Sequence, residues 1–217
     1  MQNYRQPFNV RFWTIAVTLH ISVIAASNYL VQIPLELFGF TTTWATFSFP
    51  IVYLLSDLTV RLQGINLARW VILMSMLPSL ILSYVFGMVF EYGEFQNWDK
   101  LLTFDSFVAR IALASLTAYA VGQLLDVKVF DQLRRKGSWW IAPTGSSTLG
   151  NAVDTLVFFF VAFFASSDDF YATNWVEMGL VDYGAKLLFT LIVFVPAYGL
   201  IVRALSARLA ASDRHFN

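Results

Sequence analysis

The sequence contains no cysteine and only two histidines, His20 and His215. Disulfide frameworks, thiolate nucleophiles and cysteine-based metal sites are therefore excluded, and two imidazoles are too few for a histidine-rich metal centre. Charge is scarce as well: Asp, Glu, Lys and Arg make up 13% of the 217 residues and cancel to a net charge of zero, where soluble domains carry about 25% charged residues. Such a chain has no electrostatic footprint for nucleic acid or for acidic partners. It also lacks a Gly-rich phosphate loop, a Gly-x-Ser-x-Gly elbow and a His-Glu-x-x-His pair, so we expect no enzyme activity, no cofactor and no metal. Apolar side chains, by contrast, make up 58% of the residues, against about 45–50% in soluble proteins. This is a membrane composition.

The apolar residues fall into six long segments, each able to cross a ~30 Å hydrocarbon core. A polar arm, Met1 to Arg11, precedes the first, from Phe12 to about Val31. That run is too long for the apolar part of a cleaved signal and has no small-residue cleavage site after it. Gln32 to Leu37 is a tight connection, and the second segment runs from Phe38 to Leu55 or a turn further, opening with Thr41-Thr42-Thr43-Trp44 and interrupted by Pro50. Proline removes a backbone donor, so Pro50 is expected to kink this helix and free carbonyls that can line a cavity. The third segment, Ala68 to Phe90, is the least polar; the acidic, aromatic loop Glu91 to Asp105 suits a membrane interface. The fourth spans Ser106 to Leu125, with Ser115, Ala118 and Gly122 forming a small-residue row for close helix contact. A basic loop, Val127 to Thr144, leads to the fifth, which ends near Ala165; an acidic loop, Ser166 to Tyr183, leads to the sixth, Tyr183 to Ala204. We therefore expect one domain, residues 1–217: an all-α bundle of six transmembrane helices.

Function should reside in the polar groups these segments carry, because an ionised group at the bilayer centre costs roughly 2.5–3.5 kcal/mol on insertion scales and is normally turned toward a cavity or a partner. Those groups are Asn28, Asp57, Arg110, Gln123, Asn151, Asp154 and Lys186, interspersed with aromatic residues that include Trp44, Phe47, Phe49, Tyr53 and Phe158. The densest stretch opens the fifth segment. Helical spacing puts Ser147, Asn151, Asp154, Phe158, Ala162 and Ala165 on one stripe that is polar, then aromatic, then small. A carboxylate, an amide and an aromatic face suit a flat polar solute such as a purine-like ring, whose edge offers adjacent N–H donors; an amino acid or a nucleoside would also fit. A structural reading stands beside each assignment. Asp154 would clamp two helices, Asp57 would pair with Arg61 and Lys186 with Asp182 at i,i+4 spacing, Arg110 would snorkel to the surface, and His20 would serve hydrogen-bonded packing.

The motifs also carry a resemblance. Ser27-Asn28-Tyr29-Leu30-Val31-Gln32, Phe47-Ser48-Phe49-Pro50, Ser56-Asp57-Leu58-Thr59-Val60-Arg61, Val108-Ala109-Arg110, Gly122-Gln123-Leu124-Leu125-Asp126-Val127, Trp139 to Thr144, Gly150 to Thr155 and Val181-Asp182-Tyr183 resemble, in order, the bacterial queuosine precursor transporter family, also called the VUT family. The resemblance implies an inner-membrane importer of 7-cyano-7-deazaguanine and its aminomethyl relative, feeding queuosine synthesis for tRNA. It also implies six helices similar to the substrate-binding components of energy-coupling-factor vitamin importers, which dock on their partner through Ala-x-x-x-Ala in the first helix. Here Ala16 is followed four residues on by His20, a departure that favours a stand-alone carrier. A subunit energised by a separate ATPase complex, and a carrier of another purine-like or vitamin-like solute, are the alternatives. Oligomeric state is left open.

Orientation follows from the basic residues. Arg5, Arg11, Arg61, Arg69, Lys128, Arg134, Arg135, Lys136, Arg203, Arg208 and Arg214 fall on one side, and only Lys100, Arg110 and Lys186 of the fourteen on or near the other. Both termini are therefore expected in the cytoplasm. A reporter enzyme fused after Asn217 should be active in the cytoplasm and one inserted within 95–100 active in the periplasm; a periplasmic C-terminal fusion would reverse the orientation.

Overall fold

The computed structural model describes residues 10–30, 33–37, 40–91, 93–135, 138–167 and 169–204. The arm 1–9, the tail 205–217, Val31, Gln32, Phe38, Gly39, Tyr92, Lys136, Gly137 and Asp168 lie outside those residues. Among the described residues, six helical spans are long and apolar enough to cross a membrane. They are α1 (Val10–Leu30), α2 (Ala45–Gln63), α3 (Ile65–Val89), α4 (Ser106–Leu133), α5 (Ile141–Phe163) and α6 (Asp169–Ala204). The last is α-helical over Asp169–Phe189, relaxes into a π turn at Thr190–Phe194 and resumes as α-helix.

Several expected boundaries move, each for a physical reason. Phe40–Thr43 does not open the second helix. It forms strand β2, paired antiparallel with β1 (Pro34–Leu37), and the helix starts only after Trp44. Consecutive threonines are β-branched and prefer the extended chain. A second small hairpin pairs β3 (Phe90–Glu91) with β4 (Glu94–Phe95), turning at Gly93 with φ +84°. Its Gly93 carbonyl accepts from the Tyr29 hydroxyl at 2.7 Å, tying the end of α1 to this loop. The sixth helix begins at Asp169, well before Tyr183, so the expected acidic loop is largely its first four turns. In the same way α4 continues past Leu125 to Leu133. Hydropathy marks what lipid would solvate, whereas a helix ends where its backbone bonds end. At its start, α4 is capped by Asp105, whose carboxylate accepts from the Phe107 and Val108 amides at 2.8 and 3.0 Å.

The most extensive packing is between α4 and α5, and it rests on two glycines. A Cβ at Gly122 of α4 would stand 2.9 Å from the Asp154 Cβ and 3.0 Å from the Tyr53 hydroxyl; one at Gly150 of α5 would stand 2.7 Å from the Tyr53 ring and 3.0 Å from the Asp126 Cβ. The glycines thus let two antiparallel helices close on each other while Tyr53 of α2 wedges between them. Around this contact lies a core of Val52, Val60, Ile72, Val127, Phe130 and Tyr198, all nearly inaccessible. The opposite faces, with Leu77, Leu156, Leu180, Ile192 and Leu200 exposed, present the hydrocarbon surface a bilayer would cover. Gly150→Val should lower stability by about 1–3 kcal/mol through overpacking against Tyr53, visible as a lower melting temperature in detergent; an unchanged melt would show that the α4–α5 contact can yield.

Candidate functional site

Lys186 lies where α2, α5 and α6 converge. It is an ammonium taken almost wholly out of solvent, its side chain 7% exposed, and its partners follow from the helical repeat. Asp182, one turn earlier on α6, lies 2.6 Å from Nζ, and Asp154 of α5 lies 3.7 Å away on the other side. Thr155 Oγ1 accepts from Nζ at 3.4 Å and donates to Asp182 Oδ2 at 3.2 Å, while Thr46 of α2 donates to Asp182 Oδ1 at 3.3 Å. The Phe49 ring faces Nζ, its centroid 5.4 Å away, so the cation is also held by a π face. Phe47 and Phe189 meet edge to face at 4.8 Å between α2 and α6.

The two carboxylates are not equivalent. Asp182 is engaged by the ammonium and by two hydroxyls, whereas among the described residues Asp154 has the longer contact to Lys186 alone. Two carboxylates and one ammonium leave one unbalanced negative charge, and Asp154 is where acceptor capacity remains. One turn earlier, Asn151 donates to Thr190 Oγ1 at 3.4 Å, at the first residue of the π turn, and its carbonyl oxygen is buried with no hydrogen-bond partner. π turns widen a helix locally and recur at functional sites.

A second polar layer adjoins the first. His20 of α1 donates from Nδ1 to the Ala16 carbonyl at 2.9 Å, and its Nε2 lies 3.2 Å from Ser56, whose hydroxyl donates to Gln123. Asp57 accepts from Ser146 at 3.5 Å and faces Asp126. Pro50, Leu54, Asp57, Pro143, Ser147, Thr190, Phe194, Val195 and Tyr198 line a cavity of about 10 Å³. That admits a water and not a fused ring; the helices must part before a solute of that size can enter or leave.

Of the residues singled out in the sequence, the structure brings Phe47, Asn151, Asp154 and Lys186 together. Gln123 belongs to the His20–Ser56 network and Asp57 faces Asp126. The expected Asp57–Arg61 pair is not formed among the described residues: Arg61 donates to the Tyr198 hydroxyl at 3.0 Å, because α2 turns Asp57 inward and leaves Arg61 at the exposed end. The Asp182–Lys186 pair is formed, but inside the bundle rather than at its rim. Arg110 donates to the carbonyls of Val161, Phe164 and Ala165, closing the C-terminal end of α5 instead of lining the cluster. Phe158 packs edge to face on Phe159 and Phe163 at 5.4 and 6.0 Å, and Ala165 leaves the helix at φ +52°, so the stripe is continuous only from Ser147 to Asp154. Trp44 is 47% exposed, edge-on to Phe47. Asn28 is buried beside the Ser27–Ser48 bond at 2.7 Å that joins α1 to α2, its amide nitrogen unbonded. The sequence reading paired Asp182 with Lys186 but placed Asp182 in a loop, and it missed Thr46, Thr155 and Thr190 as members of the cluster. Hydroxyls on apolar helices carry no signal of their own until their neighbours are known.

Six apolar helices enclosing a charged, hydroxyl-rich cluster and a small cavity fit a multi-pass membrane protein. The chain belongs to the family described as putative vitamin uptake transporter, whose model matches residues 43–201. It is similar to the "Queuosine precursor transporter" of Escherichia coli K12, 49% identical over 94% of this chain and 92% of that one. It is also similar to the "Probable queuosine precursor transporter" of Haemophilus influenzae, 48% identical over 88% of this chain and 86% of the relative. A more distant relative of the same printed name, from Bacillus subtilis, is 25% identical over 88% of this chain. No solved structure matches.

Arg110 and Lys186 should respond differently to truncation. Arg110→Ala removes charge-assisted bonds to three carbonyls, worth about 1.5–3 kcal/mol each before relaxation, and should lower the detergent melting temperature while leaving solute affinity intact. Lys186→Met leaves two buried carboxylates facing each other, a loss of about 3–5 kcal/mol, and should impair both. Equal behaviour of the two variants would contradict the separation of cap from cluster.

Proposed function

We propose that this chain imports a queuosine precursor, 7-cyano-7-deazaguanine and its aminomethyl relative, across the inner membrane, with both termini in the cytoplasm. The printed names of the relatives support the solute class, and the structure adds a chemical reason. A deazaguanine edge presents two adjacent N–H donors and, next to them, a carbonyl oxygen. Asp154 has open acceptor capacity for the donors; the Lys186 ammonium and the Asn151 amide stand beside it for the carbonyl; Phe47, Phe49 and Phe189 supply ring faces, each stacked base being worth about 1–3 kcal/mol. The observation that carries this reading is the asymmetry between a fully engaged Asp182 and an under-coordinated Asp154 on either side of one buried lysine.

We read the protein as a stand-alone carrier working by alternating access. The face of α1 that would hold Ala-x-x-x-Ala carries Ala16 and His20, 7% and 1% exposed, and His20 reaches across to Ser56 of α2. That face is spent inside the bundle and is not free to dock an energising partner. Uptake in cells without an energy-coupling complex checks this point, and loss of uptake there would favour the partner-dependent alternative.

Asp154→Asn is nearly isosteric but places a donor against the ligand's N–H. In a buried site that mismatch should weaken solute affinity by about 2–4 kcal/mol, roughly 30- to 1000-fold. The variant should express and melt like the wild type in detergent while losing ligand-induced stabilisation. A variant that binds normally and melts much lower would make Asp154 a clamp between α5 and α6 and remove the centre of this reading.

A further inference from the structure

Beneath the lysine cluster, Asp57 of α2 and Asp126 of α4 meet in the middle of the bundle, 2% and 0% exposed. Neither lies within ion-pair distance of a cation among the described residues. Lys186 is held by Asp154 and Asp182, and Arg134 and Arg135 by Asp131 at 2.6 and 2.7 Å. Among the described residues Ser146 of α5 stands over the pair and donates to Asp57 at 3.5 Å, and both oxygens of Asp126 are buried without a donor in hydrogen-bond geometry. Two uncompensated carboxylates facing each other in a medium of low dielectric repel strongly, and a single proton held between them would relieve that repulsion. A second group points the same way. The Tyr53 hydroxyl is buried with no hydrogen-bond partner. The Tyr53 ring lies against Gly150, which Asp126 also approaches, and its hydroxyl against Gly122, which Asp154 also approaches.

We propose that Asp57 and Asp126 form a proton-binding site and that Tyr53 links it to the Asp154–Lys186–Asp182 cluster, so that solute import is coupled to proton entry. This rests on the reading of the chain as an importer. In the loaded state one carboxyl carries the proton and donates it to the other carboxylate. On the return path the proton leaves to water on the cytoplasmic side, and the pair is refilled from the opposite side. No bond other than O–H is made or broken. The pair offers few oxygens, and no group of three or more carboxylate or imidazole side chains suited to a metal exists among the described residues, so a proton fits better than a sodium ion. The titratable and charged groups around the pair are Tyr53 and Arg61 on α2, Tyr119 on α4, Asp154 on α5, Asp182 and Tyr198 on α6, and His20 on α1, which is held by Ala16 and Ser56.

The test uses the full-length protein in liposomes with 7-cyano-7-deazaguanine as solute. Counterflow exchange at equal pH reports carriage of the solute; accumulation under an imposed pH gradient, acidic on the side of entry, reports coupling. Wild type should accumulate solute up to about tenfold per pH unit for one proton per solute, and a sodium gradient should do nothing. Asp126→Asn should abolish gradient-driven accumulation while retaining exchange. The infrared carbonyl band of a protonated carboxylic acid should be present in wild type and missing from Asp126→Asn and Asp57→Asn, a readout that needs no transport. Active exchange with no response to the pH gradient, or accumulation driven by sodium instead, would overturn the coupling and leave the import reading standing. Absence of exchange in wild type would overturn both, and an infrared band unchanged in the two variants would refute the shared proton directly.

Discussion

A lysine ammonium held between two carboxylates inside six apolar helices is the constraint on which the other features of this molecule depend. Taking three charges out of water costs several kcal/mol per ion even after relaxation, and only good geometry recovers that cost. The geometry comes from three helices at once: α6 supplies Lys186 and Asp182 one turn apart, α5 supplies Asp154 and Thr155, and α2 supplies Thr46 and the Phe49 face. None of these helices could slide by a turn without stranding a charge. The polar cluster therefore fixes helix register as well as chemistry, a role well attested for buried ionic groups.

The same register explains the glycines. Gly122 and Gly150 face Asp154 and Asp126 across the α4–α5 contact, and their missing side chains leave just enough room for the Tyr53 ring. Lipid tails are as apolar as the helix surfaces, so association inside a bilayer draws on close packing and on hydrogen bonds rather than on the hydrophobic effect. In this bundle the closest approach and the highest concentration of polar groups coincide. The cost is a site with little room: the cavity beside Ser147 and Thr190 holds a water rather than a ring. On one side the cavity is bordered by Thr190 and Phe194, the two ends of the π turn of α6.

Much of this was legible along the chain. The six segments, the likeness in motifs, the cluster of Asn151 with Asp154, and the Asp182–Lys186 pair can all be read from spacing and composition, because hydropathy and helical period are local properties. Boundaries were less legible. Asp169 to Tyr183 looks like a loop since it is acidic, yet Glu177 and Asp182 sit on a helix whose first turns extend past the apolar window. The threonine run before Trp44 looks like a helix start, yet it pairs with Pro34–Leu37 as a hairpin, because pairing depends on a partner strand that no local window contains.

Sequence alone determined that this chain belongs in a membrane, that it carries six segments long and apolar enough to cross one, and that a handful of polar side chains lie within them, since each of these follows from transfer energies summed over neighbouring residues. Only the tertiary structure decided which of those side chains meet. It sent Arg110 to the end of α5 and Phe158 to an aromatic cluster, drew Asp126 toward Asp57, and set Tyr53 against Gly122 and Gly150. The reason is geometric. A helix determines the direction of each side chain relative to its own axis, but which faces oppose one another is settled by the close approach of α4 and α5 and by the charges that must be paired once water is gone.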